Sequence, residues 1–116
     1  MLNSVSNESL TLSNYTDYTK LFDALSHPMR IKVIGILAQN RRYVSELAKM
    51  MNMSRPLLYM HLRKLEDAAI VIGSYEISES GKSMKYYEVK SFAVHLTPEL
   101  LESLAQTIPI ESGREE

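Results

Sequence analysis

The chain has no cysteine, four glycines in 116 residues, and a net charge of only −1. The first absence excludes disulfides, thiolate metal ligands and cysteine nucleophiles. The glycines stand apart from one another, so no glycine-rich loop is available to cradle a phosphate. No run of 18 or more apolar residues occurs, and no transmembrane helix is expected. The start, MLNSVSNESLTLSNYT, lacks the basic end and apolar core of a secretory signal. These absences predict a soluble, cytoplasmic protein. No Ser-His-Asp spacing stands out either, so no enzyme is expected and no cofactor is implied.

What is present is enough for one domain with a modest core, since 45% of the residues are hydrophobic and 23% charged. The small net charge hides an asymmetry. His27 to Lys90 hold 11 basic and 6 acidic residues, a balance of +5; the flanks hold 2 and 8, a balance of −6. A basic middle between acidic ends fits a polyanionic partner.

Residues 1–16, rich in Ser, Asn and Thr, are predicted to be a disordered arm, with the folded domain at 17–108. Tyr18, Leu21, Phe22 and Leu25 recur at helical spacing and predict a first helix ending near Ser26. A second follows, with Ser26 as cap, Pro28 in its first turn, Ile31, Ile34 and Leu37 as its apolar row, and Asn40 as its stop. YVSELAKMMNM gives a short third helix. Ser54 then caps a fourth, over 54–68, after a linker of only NMS. So tight a joint between short helices reads as a helix-turn-helix. Two segments rich in β-branched and aromatic residues, IVIGSYEIS and MKYYEVKS, flank ESGKS and predict a two-stranded hairpin over 70–90. Thr97 and Pro98 open a last helix, 97–108, and residues 109–116 are read as a flexible tail. The fold class is α+β and mostly helical.

The fourth helix carries the functional argument. Leu58, Leu62, Leu65 and Ala69 fall on one side, at i, i+4, i+7 and i+11, and form the core face. Pro56, Met60, Arg63 and Asp67 lie opposite, flanked by Tyr59 and Lys64, with Arg55 and Leu57 in the first turn. A recognition helix needs donors for base edges and phosphates, and apolar atoms for thymine methyls. Arg55, Pro56, Leu57, Tyr59, Met60 and Arg63 supply candidate base contacts. Ser54, Arg55, Lys64, Lys82 and Lys85, with Arg41 and Arg42 behind them, supply candidate phosphate contacts; the hairpin carrying Lys82 and Lys85 would be a wing. The same exposed Leu57, Tyr59 and Met60 would also suit a protein-binding surface.

These stretches resemble a known family. ALSHPMRIKVIGILAQN is similar to the second-helix signature of the ArsR-like winged helix-turn-helix regulators, and VSELAKMMNMSRPLLYMHLRKLEDAAIV to their helix-turn-helix. His61–Leu62, Leu65 and the Ala-x-hydrophobic-Val exit stand where the family has them, and KYYEV resembles the returning strand of the wing. The resemblance spans about residues 18–90. It implies a homodimeric transcriptional repressor on a near-palindromic double-stranded DNA operator. Tyr18, Leu21, Phe22 and Leu25 would pair across the dimer with Leu100, Leu101, Leu104 and Ile108. An effector-responsive sensor is the other reading the resemblance leaves open, its small molecule unknown.

Three departures stand out. Ala69 occupies the place of a glycine after the recognition helix, where a left-handed conformation would cost alanine about 1 kcal/mol, so a different exit is expected. Tyr43 replaces a Thr-like cap, so the third helix is expected to start at Ser45 or to lean on another cap. The third helix lacks the cysteines through which many members sense metals. His27 is read as a surface or capping residue and His61 as half-buried and hydrogen-bonded. His95 with Glu99 and Glu102 is set aside as a metal site because His95 precedes the helix cap. The methionine-rich run Met50, Met51, Met53, with Met60, is read as packing and not as a soft-metal site. No metal is expected.

Overall fold

The computed structural model describes residues 10–111. Helices α1 (Tyr15–Ala24), α2 (Pro28–Gln39), α3 (Val44–Met51) and α4 (Arg55–Asp67) precede the wing strands β2 (Val71–Ile77) and β3 (Ser83–Val89), and α5 (Pro98–Ala105) ends the fold. A two-residue strand, β1 (Arg42–Tyr43), lies between α2 and α3 and pairs with β3, so the sheet has three antiparallel strands in the order β1-β3-β2. The expected two-stranded hairpin is therefore one strand short. Two residues are too few to show a period of two.

Side-chain chemistry sets the helix ends. Asn14 Oδ1 accepts from the Asp17 N–H at 3.0 Å, Ser54 Oγ from Leu57 at 3.3 Å, and Thr97 Oγ1 from Leu100 at 3.1 Å. Each satisfies an N–H that a first helical turn leaves without a partner. At α2 the cap is His27 and not Ser26. His27 Nδ1 accepts from the Met29 N–H at 3.1 Å, while the Ser26 hydroxyl donates back to the Asp23 carbonyl. At α3, Glu46 reaches back to accept from the Tyr43 N–H, so the helix starts at Val44 without a Thr-like cap.

The predicted arm is shorter at its inner end than expected. Leu10 donates its N–H to the Ser91 carbonyl at 2.9 Å, Leu10 and Leu12 pack on the core, and α1 begins at Tyr15. Residues 1–9 of the predicted arm and 112–116 of the predicted tail lie outside the described residues.

The core joins Leu21 and Ala24 of α1, Val33, Ile36 and Leu37 of α2, Leu47 and Met51 of α3, and Leu58, Leu62 and Leu65 of α4, closed by Ile70, Val71 and Tyr87. The inward row of α2 is thus Val33, Ile36 and Leu37; Ile31, expected inside, is exposed. This helix is apolar on nearly every side, so its wheel gave no direction.

After α4 the chain turns at Ala69, whose φ is +62°. Alanine does here what a glycine would, and the expected change of exit does not occur. The Ala69 and Ile70 N–H groups donate to Glu66 and Leu65, closing the helix in the usual left-handed way. Ala69→Gly should therefore stabilise the fold by about 1 kcal/mol, raising Tm by about 4–8 °C in calorimetry.

Candidate nucleic-acid interface

Helix α4 rests on Leu58, His61, Leu62 and Leu65 and turns the rest of its surface outward. Arg55, Pro56, Leu57, Tyr59, Met60, Arg63 and Lys64 are all exposed, Met60 by 67%. Pro56, Tyr59, Met60, Arg63, Lys64 and Asp67 line one shallow groove of 440 Å³ along the helix. Both predicted classes, the base-reading row and the cations, thus share this face. Asp67, at the far end, adds the one negative charge of the groove.

A second cleft, of 280 Å³, lies where the N-termini of α3 and α4 meet the wing. Arg55, Lys82 and Lys85 all line it, together with Tyr43, Ser45 and Ser83. Residues 27 and 30 positions apart in sequence are brought together because β3 returns past the start of α3. The positive ends of two helix dipoles lie beside it.

Lys85 is held in place. Its ammonium lies 5.0 Å from the Tyr75 ring and 5.4 Å from the Tyr87 ring. Gly73, opposite Tyr87 in the sheet, leaves room for this: a Cβ there would stand 2.9 Å from both the Lys85 stem and the Tyr87 ring. Nothing in the pattern of hydrophobic residues marks Gly73, although an isolated glycine in a strand is a signal of close approach. On the opposite face of the wing, Arg41 is paired within the sheet. It forks onto the Glu76 carboxylate and stacks on the Tyr86 ring at 4.1 Å, and this bond holds the Glu76 carboxyl below its usual range. The Arg42 Nε is buried without a hydrogen-bond partner.

Behind the interface sits a residue that sequence reasoning left out. Arg30 is 9% exposed. Its Nε donates to the Ala24 carbonyl at 2.8 Å, Nη2 to the Asp23 carbonyl at 3.2 Å, and Nη1 to His61 Nδ1 at 3.3 Å. The guanidinium thus fastens the C-terminus of α1 to the inner face of α4. Outside it, the Lys64 ammonium meets the Asp23 carboxylate at 3.2 Å. The only visible hint was an arginine in the first turn of α2, a place the helix dipole does not favour for a cation.

His61 is buried, and Arg30 can only donate, so Nδ1 is an acceptor and the imidazole is neutral. Its ring meets that of His27 edge-on, with centroids 4.7 Å apart. Burial, then His27 and Arg30, push its pKa below the ordinary 6.5. The unfolded chain therefore takes up this proton first as pH falls. Stability should decline below pH 6.5 until the folded His61 also titrates, and His61 should contribute no slope above pH 6.5. Urea midpoints between pH 8 and 5 test this: His61→Gln, which keeps an acceptor for Arg30, should flatten that part of the curve.

Among the described residues, no three His, Asp or Glu are placed to share a metal ion, and no helix is long and apolar enough to cross a membrane.

Three helices, a helix-turn-helix and a three-stranded wing, with a cationic face on the second helix of the motif, define a winged helix-turn-helix DNA-binding protein. Residues 27–72 match the model of the arsR family of bacterial regulatory proteins. An uncharacterized HTH-type transcriptional regulator of Methanocaldococcus jannaschii is 38% identical over 88 residues, 76% of this chain and 92% of that protein. The HTH-type transcriptional repressor SmtB of Mycobacterium tuberculosis is 30% identical over 77 residues, 66% of this chain and 54% of its own. A homodimeric winged helix-turn-helix DNA-binding domain from Mycobacterium bovis, 20% identical, superposes with a TM-score of 0.59 over 79% of this chain and 71% of that one. The chain belongs to the ArsR family, and it is a DNA-binding transcriptional regulator.

Proposed function

We propose that the protein acts in the cytoplasm as a homodimeric repressor that grips a near-palindromic duplex operator, one half-site per protomer. The observation that carries this is the convergence of Arg55, Lys82 and Lys85 on one cleft beside the exposed row of α4. In this reading those three cations and Lys64 meet phosphates, and Ser54 adds its hydroxyl. Arg55, Pro56, Leu57, Tyr59, Met60 and Arg63 meet base edges in the major groove.

The dimer would form through α5 and the outer side of α1. Helix α5 has no buried residue, and Leu101 and Ile108 are 46% and 44% exposed. Leu100 and Leu104 are half-buried, as are Tyr18 and Phe22 of α1 and Leu25 just past its end. Leu21, named with them from the sequence, drops out: it is 1% exposed inside the protomer core and has no surface to offer a partner.

Selection from a random duplex library, followed by a salt titration on the winner, tests the proposal. A near-palindromic winner is expected. Four phosphate-binding cations per protomer predict a slope of log affinity against log salt of about −7 for the dimer. Arg63→Ala should weaken operator binding by about 1–3 kcal/mol, with loss of discrimination at one base position. The exposure of Leu57 and Met60 favours one other reading, a protein-docking surface, which a flat salt dependence and no enriched sequence would select.

A further inference from the structure

Beside the DNA-facing row a separate groove of 570 Å³ opens between the start of α2, the turn from α3 to α4, and one flank of α4. Met29, Met51, Met53 and Met60 are four of the ten residues that line it. Thioethers adapt their shape to an apolar guest. The groove floor is different. Arg30 lines it, and this buried guanidinium meets two carbonyl oxygens and a neutral imidazole, but no carboxylate. Neither the Arg41–Glu76 nor the Lys64–Asp23 ion pair includes Arg30. Buried charges are normally matched by a counter-charge. Here the direct match is the partial charge of the α1 C-terminus. Lys64, whose ammonium also meets the Asp23 carboxylate, adds a second cation at the rim, and among the described residues no carboxylate lines the groove itself.

We propose that this groove binds a small aliphatic carboxylate, its anion toward Arg30 and Lys64 and its chain along the methionines. A soft cation would suit the thioethers but not the site. Two cationic side chains repel it, and the Nδ1 atoms of His27 and His61 already accept from the Met29 N–H and from Arg30. Met60, Leu57 and Lys64 belong to both this groove and the face of α4 assigned to DNA, so an occupied groove is coupled to operator binding.

The first test uses the full-length protein without DNA. Methionine-methyl NMR is followed during titration with decanoate, decanol and acetate. Decanoate should shift the methyls of Met29, Met51 and Met53 saturably, with affinity at least tenfold above that of decanol, which lacks the anion, and of acetate, which lacks the chain. Met29→Glu places a carboxylate at the mouth of the groove and should weaken decanoate at least tenfold while circular dichroism stays unchanged. Unshifted methyls, decanol binding as tightly as decanoate, or an indifferent Met29→Glu variant would each overturn the site. The second test rests on the DNA reading: saturating decanoate should weaken the selected operator at least fivefold. An unchanged affinity removes the coupling. Absence of any operator affinity before decanoate is added counts against the DNA reading alone, since the methyl titration still decides the groove.

Discussion

Leu101→Glu and Ile108→Glu together should leave each protomer folded and lower operator affinity by about 10²–10⁴-fold, the advantage lost when two linked half-sites are read separately. The folded state should survive because α5 contributes no buried residue and both side chains are nearly half exposed in the protomer. Leu101 lies on α5 and Ile108 in the turn that follows it. Glutamates there would have to lose their water in the dimer with no cation opposite to receive them. Sedimentation should report the 13.2 kDa protomer in place of twice that mass. A variant that still sediments as a dimer and still binds would move the interface off α5.

The second large effect is expected at Arg30. Arg30→Met keeps the length and apolar stem of the side chain and deletes its donors, leaving the Ala24 and Asp23 carbonyls and His61 Nδ1 to find other partners. Each buried acceptor so abandoned costs about 1–3 kcal/mol, and water at the edge of the site will relieve part of it. A net loss of about 3 kcal/mol in urea unfolding is expected, a large share of the 5–15 kcal/mol typical of a domain. Arg30→Lys should recover less than half, because an ammonium cannot span three acceptors as the planar fork does. A loss under about 1 kcal/mol for Arg30→Met would show that α1 is held by its apolar contacts alone.

Much of this architecture was legible because separate signals agreed. Caps at Ser54 and Thr97, the Leu58, Leu62 and Leu65 row of α4 and the polar ESGKS between two β-rich runs each pointed to one element, and the structure has them; Ala69, counted with that row, lies past the helix end and is exposed. What could not be read was tertiary. In α2, apolar residues on nearly every side hid which row turns inward. Leu21 fits the apolar stripe of α1, but a stripe does not say whether it meets its own core or another copy. Strand β1 exists only because β3 lies beside it. Arg30 had no assigned role in the sequence, and its burial depends on a helix end six residues earlier in the chain. At Ala69 the expectation failed differently: the backbone accepted a local cost so that Ile70 and Val71 could reach the core.

Sequence reading also placed Arg41 and Arg42 among the basic residues of the surface without seeing the carboxylate of Glu76 across the sheet. Charge counts along a chain carry no such pairing. The cleft of Arg55, Lys82 and Lys85 was legible as three separate candidates, and only the return of β3 makes them one feature.

The Arg30 joint has an evolutionary consequence. It grips α1 by main-chain oxygens, which every amino acid carries, so the outer side chains of that helix are free to diverge without loosening it. A duplicated copy of the gene could acquire a private set of dimer contacts, and cease to mix with its parent, while each protomer kept the same angle between its first helix and its reading helix. New regulators would then arise by changing partners first and operators afterwards.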